Sequence, residues 1–208
     1  WTIYSDAYVL ASPFPTGDIT ALALLGDGRL WIASNAGELC LFDPTAVTCQ
    51  EFFGAAELTS ASGVTALALD SQNRLYLATA QDGVRMYADG LWRTYRAPVE
   101  AIPSNHVRAF AQDAAGLLWL ATDAGLYQIN PVNERVLQSF TNQNTDYPVE
   151  AIVTLFPDPA GGLWVGGAGL GYFDGEQWVR YTTADGLASD QVQAIAGDAE
   201  ERGRVGTW

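Results

Sequence analysis

One short phrase governs what this chain can become: "AGLLWLATDAG" at residues 115–125 repeats, with few changes, "GDGRLWIASNAG" at residues 26–37. Aligned on the apolar run before each copy, the chain resolves into units beginning "ITALALL" at Ile19, "VTALALD" at Val64, "VRAFAQD" at Val107, "IVTLFPD" at Ile152 and "VQAIAGD" at Val192. Their offsets are 45, 43, 45 and 40 residues. A second run follows each: "RLWIAS", "RLYLAT", "LLWLAT", "GLWVGG" and a degraded "GRVGTW". Third runs are "ELCLFD", "GVRMYA", "GLYQIN" and "GLGYFD", and fourth runs include "LWRTYR" and "QWVRYT". Gly, Asp, Asn and Pro separate the runs, and no stretch has helical periodicity of useful length. Four short strands in every 40 to 45 residues are the signature of a β-propeller blade. Blades stack face to face, so middle strands are buried on both sides and need not alternate. A β-sandwich would not require so regular a repeat.

The expected fold is therefore all-β: one propeller domain over residues 1–208, most simply with five blades. The blade units lie near 19–53, 64–97, 107–142, 152–183, and 192–208 joined by 1–7. "WTIYSD" at the start matches the outer-strand pattern of "WRTYRA" and "WVRYTT", so the N-terminal strand is expected to close the last blade and remove its exposed edge. That blade lacks an evident third strand, which leaves open that the sequence is an arc of a larger ring.

Third-unit residues "IPSNHVRAFAQDAAGLLWLATDAGLYQIN" resemble the two-component regulator propeller repeat, and "LASDQVQAIAGD" resembles its first half. The likeness runs through nearly the whole chain. It departs in the fifth unit, which lacks the Leu-Trp pair, and in the first, which reads "ELCLF" in the third strand. The resemblance implies a non-enzymatic, extracytoplasmic sensing region of a bacterial signalling receptor. A protein-interaction scaffold is the alternative, and a propeller lyase similar to those acting on streptogramin-type lactones is the weakest reading.

Charge narrows the partners. Ten Lys+Arg against 24 Asp+Glu give a net charge of −14, which repels phosphate backbones and anionic lipid. Nucleic acid is excluded as a partner, and no apolar run approaches the roughly 18 residues of a membrane span. The chain opens at Trp1 without a recognisable signal segment, so any such signal is expected to be removed or to lie outside this sequence.

No cofactor or metal is expected. The Cys and His residues lack zinc spacing, and no D-x-D-x-D-G run offers a calcium loop. Asp70, Asp113, Asp158 and Asp198 each end a first strand, where Asp binds the backbone of its own turn. Trp31, Tyr76, Trp119 and Trp164 share one position in the second strand; packing between blades explains them better than an aromatic cage. Trp92 and Trp178, with Tyr95 and Tyr181 three residues on, mark outer strands whose rings face opposite sides. Cys40 and Cys49 sit on adjacent third and fourth strands and share a face. A two-residue loop would place them directly opposite and a four-residue loop diagonally, with only direct opposition expected to permit a disulfide without backbone movement.

His106 is the sole histidine. Nothing beside it forms a nucleophile elbow, so it reads as a polar rim residue rather than a catalytic one. In a propeller the loops before the innermost strands and between second and third strands open on one face around the axis. Those loops hold Asp18, Asn35, Gln81, Asn105, His106, Asp123, Glu150, Asp190 and Gln191, the expected ligand-binding residues at the mouth of the channel. Their alternative reading is solvated turns with ordinary cap chemistry. Acids dominate the set, so the expected partner is a hydroxyl-rich or cationic small molecule, or else a protein.

Overall fold

The computed structural model describes residues 13–58, 63–97, 102, 104–133, 135–141, 150–159, 161–197 and 203–207. Residues 1–7, expected to close the last blade, and Asp198 lie outside them. The chain forms two compact units, Trp1–Tyr95 and Arg96–Trp208.

In the first unit, β1 (Ile19–Leu24), β2 (Leu30–Ser34), β3 (Leu39–Asp43) and β4 (Thr48–Phe53) form one antiparallel sheet in chain order. A one-turn helix, α1 (Ala55–Leu58), leads to a second such sheet of β5 (Val64–Leu69), β6 (Leu75–Thr79), β7 (Val84–Ala88) and β8 (Leu91–Tyr95). The second unit holds β9 (Val107–Gln112), β10 (Leu118–Thr122), β11 (Gly125–Asn130) and β12 (Arg135–Phe140) in a third sheet. Next come β13 (Glu150–Pro157), β14 (Leu163–Phe173) and β15 (Trp178–Tyr181), a 3₁₀ turn at Thr183–Asp185, and the pair β16 (Val192–Gly197) and β17 (Gly203–Thr207).

The long run β14 departs from the two separate strands the sequence suggests. Trp164 and Tyr172 lie eight residues apart, which an extended strand would separate by about 26 Å, yet their ring centroids are 4.5 Å apart. The run therefore doubles back on itself, pairing its first half with β13 and its second with β15. Gly169, at φ +129°, supplies the backbone conformation that a side chain would resist. Its sheet is thus a four-stranded blade with one unusually tight inner hairpin.

A single turn is built four times between first and second strands. Leu25, Asp70, Asp113 and Asp158 each donate their N–H to the carbonyl four residues on, at 2.9, 3.1, 2.9 and 2.9 Å. The fourth residue of each turn, Gly28, Asn73, Gly116 or Gly161, has positive φ. In the second and third sheets the leading carboxylate fastens the turn: Asp70 accepts from the N–H groups of Gln72 and Arg74, and Asp113 from those of Ala115 and Leu117.

All five residues of β6 and of β10 are buried, as expected of strands covered on both faces. In the first unit Trp31 packs with Phe53 and with Tyr87 of the next sheet, ring centroids 6.4 and 5.9 Å apart, within a cluster that includes Leu39, Leu41, Val64, Leu75 and Leu77. In the second unit Trp119 meets Phe140 and Phe173, both at 6.1 Å, over Leu126, Leu163 and Val165. Trp178 joins that cluster while Tyr181 turns to Trp164, so the two outer-strand rings serve different neighbours.

Cys40 and Cys49 are joined by a disulfide with Cα atoms 5.7 Å apart. The register corrects the expectation that only direct opposition permits the bond. Cys49 faces Phe42, the four-residue-loop register, and an irregularity between Leu41 and Phe42 then sets Cys40 opposite Phe52. The bulge bends β4 and brings the diagonal pair within the usual span of a disulfide.

Candidate functional site

In the first and third sheets the loop before the inner strand and the turn between second and third strands meet at one end of the sheet, and hydrogen bonds join them. In the first sheet Asn35 donates its backbone N–H to the Asp18 carbonyl at 2.9 Å. Asp18 returns its own N–H to Asn35 Oδ1 at 3.1 Å, and Asn35 Nδ2 donates to Asp18 Oδ2 at 3.1 Å. Beside them Glu38 accepts from Thr16 through both its N–H and its hydroxyl. In the third sheet Asp123 donates its N–H to the His106 carbonyl at 3.3 Å, while its carboxylate accepts the Ser104 hydroxyl.

Asn105 and Asp190 do one job in two places. Asn105 Oδ1 accepts from the Ala97 N–H at 2.8 Å, and Asp190 Oδ1 from the Thr183 N–H at 2.7 Å. Each thereby closes the loop that carries the chain from one blade to the next inner strand. The preceding serines are equivalent as well: Ser104 accepts from the His106 N–H at 3.0 Å and Ser189 from the Gln191 N–H at 3.1 Å. Their equivalence is legible in "IPSNHV" and "LASDQV", which set Ser104 and Ser189 at the same distance before the inner strand.

The fourth blade's inner turn lies between Glu150 and Gln191. Ala168 is paired with Glu150 of its own sheet and bridged to Gln191 of the next. Gln81 is exposed in the turn between β6 and β7. Next to it Asp82 is buried and donates its N–H to the Thr79 hydroxyl at 2.8 Å. Burial, and then the Asp123 charge, push the Tyr127 phenol above its ordinary pKa, and its hydroxyl donates to the Ala124 carbonyl at 2.9 Å.

The expected residues thus divide by use. Asp18, Asn35, Asn105, Asp123 and Asp190 hold loops together through their own polar atoms. His106, Gln81 and Gln191 are exposed, and their side chains make no hydrogen bond among the described residues. Within each unit the described loops leave a few polar groups outward, an arrangement that can bind a molecule by hydrogen bonding.

Sheets repeated in chain order, each entered at its inner strand, define β-propeller blades. Residues 101–124 match the family model of the two component regulator propeller, so the chain carries that repeat. The chain is similar in fold to a solved structure described as the extracellular domain of the hybrid two component system BT3049 of B. thetaiotaomicron. The TM-score is 0.74 at 20% identity, over 90% of this chain and 26% of that one. It is also similar to the extracellular domain of the system BT4673 from the same organism, with a TM-score of 0.70 at 20% identity over 95% and 27%. A virginiamycin B lyase from Staphylococcus aureus matches at a TM-score of 0.69 with 11% identity, over 90% and 62%. The chain spans about a quarter of the length of the two extracellular domains. No curated protein sequence matches it. Among the described residues no helix is long and apolar enough to cross a membrane.

Proposed function

We propose that this chain is a non-enzymatic ligand-sensing propeller segment of the extracytoplasmic region of a bacterial signalling receptor. The observation that carries the reading is the two component regulator propeller repeat at residues 101–124. The fold likeness to the extracellular domain of the two component system BT3049 supports it, and the Cys40–Cys49 disulfide suits an oxidising compartment. Ligand contacts come from side chains the loop frame does not use, with His106 and Gln191 foremost in the second unit. The net charge of −14 favours a hydroxyl-rich or cationic ligand over an anionic one.

A thermal-shift screen of neutral sugars, amines and small acids tests this reading. A ligand at about 100 times its Kd adds roughly 2.7 kcal/mol of stability, a shift of several degrees. Stabilisation by a neutral or cationic compound, weakened by His106→Ala or Gln191→Ala, is the expected result. A flat screen accompanied by capture of a protein partner on this face would favour the scaffold reading instead.

A further inference from the structure

At the opposite end of the strands, within the first unit, lies a cleft of about 620 Å³ lined by the β1–β2, β5–β6 and β7–β8 turns. Its apolar wall is Leu25, Leu41, Leu75, Trp31 and Tyr87, and its polar rim includes Arg29, Arg74, Glu51 and Asp89. The volume suits a small organic molecule.

The first blade differs from the third around the tryptophan of its second strand. In the third sheet Trp119 donates its indole N–H to Asp113 at 3.0 Å, and Gln128, paired with Trp119 across the strands, donates to the same carboxylate at 3.0 Å. In the first sheet the turn position of Asp113 is Leu25, and the cross-strand partner of Trp31 is Leu41. Both polar neighbours of the indole have become leucines. Trp31 is 3% exposed and lines the cleft, and its N–H has no acceptor among the described residues. A donor so placed favours a ligand that brings an oxygen to it.

The charges around the cleft define the other half of the ligand. Arg29 is held by Asp27 at 2.8 Å and donates to Gln50 at 3.0 Å, while Arg74 is held by Asp70. Glu51 accepts the Tyr87 hydroxyl at 2.7 Å, which fixes its carboxylate at the rim. Asp89, in the left-handed turn after β7, is exposed there. Glu51 and Asp43 act on Arg29 only as weaker neighbours behind Asp27. With both guanidiniums already paired, Glu51 and Asp89 leave the rim net negative, so an anion is repelled and a cation attracted.

We propose that this cleft binds a small hydroxylated amine, with a ligand oxygen accepting from the Trp31 indole N–H and the ammonium set between Glu51 and Asp89. The site extends the ligand-sensing reading and, within its own sheets, lies at the end of the strands opposite Asp18 and Asn35. Calorimetric titration of the full chain with glucosamine, glucose and 1,4-diaminobutane at low salt tests it. Glucosamine should bind at least tenfold more tightly than either comparison compound, one of which lacks the ammonium and the other the hydroxyls. Trp31→Phe, which keeps an aromatic ring but removes the donor, and the double variant Glu51→Gln with Asp89→Asn should each weaken glucosamine at least tenfold with circular dichroism unchanged. His106→Ala should leave it unaltered. Absence of glucosamine binding, equal or tighter binding of glucose, or unchanged affinity in both variants would overturn the cleft assignment. Sensing itself would stand if a ligand were then found whose binding depends on His106.

Discussion

Cys40 and Cys49 show how much a residue pair can carry in a strand hairpin. The bond closes a short loop and, in the chain-entropy description, stabilises the fold by about 2–3 kcal/mol. Cys40→Ala with Cys49→Ala should lower the unfolding free energy by that amount in urea titration, and the native chain under reductant should match the variant. The tyrosines carry a pH signature. Burial pushes Tyr76 and Tyr87 up to about 12; for Tyr87 the hydrogen bond to Glu51 adds to it. An unfolded phenol ionises near 10, so between about 10 and 12 the unfolded state releases protons that the folded state retains. The stability from these two groups is complete below pH 10 and declines as pH rises through 12. Tyr87→Phe should flatten that decline in urea midpoints measured from pH 9 to 12, and an unchanged slope would contradict the assignment. The pairing of the cysteines was foreseeable from their strands, but the bulge that permits it was not, because register irregularities depend on packing rather than on spacing.

Elements explain why the blades were readable at all. Apolar runs beginning at Ile19, Val64, Val107 and Val192 start β1, β5, β9 and β16 at the same residues, while β13 begins at Glu150 rather than Ile152. Middle strands of a propeller blade are covered on both faces, so hydrophobic content marked strands even where alternation failed. Turn chemistry was equally plain in "DSQN" and "DAAG", since one carboxylate must bind several N–H groups. The expected site was legible only as a set of loops. Whether Asn105 or Asp190 faces a ligand or its own backbone turns on hydrogen-bond geometry over seven or eight residues, which identity alone does not express. The cleft was hidden for another reason: Leu25 and Leu41 look like ordinary core residues until the third blade shows Asp113 and Gln128 in their places. Asp113→Ala removes the acceptor for two turn N–H groups, Trp119 and Gln128 together. It should cost about 3 kcal/mol, read as a fall in the urea midpoint, whereas Leu25→Asp should restore an acceptor to Trp31 and cost far less.

At the scale of the whole molecule, an acidic chain of repeated blades meets its surroundings through the turns at its strand ends. In the second unit the loops before inner strands leave His106 and Gln191 outward; in the first, the turns after the inner strands open the Trp31 cleft. Lyase structures share this architecture at 11% identity, so the fold by itself does not separate sensing from catalysis. Chemistry on the bound molecule does. The decisive measurement is to saturate the chain with the compound that stabilises it most in the thermal screen, hold the mixture for many hours, and recover the compound for chromatography and mass spectrometry. Sensing predicts stoichiometric, reversible binding and complete recovery of unaltered ligand. Conversion of the ligand into a new species, abolished when the protein is heat-inactivated, would contradict it.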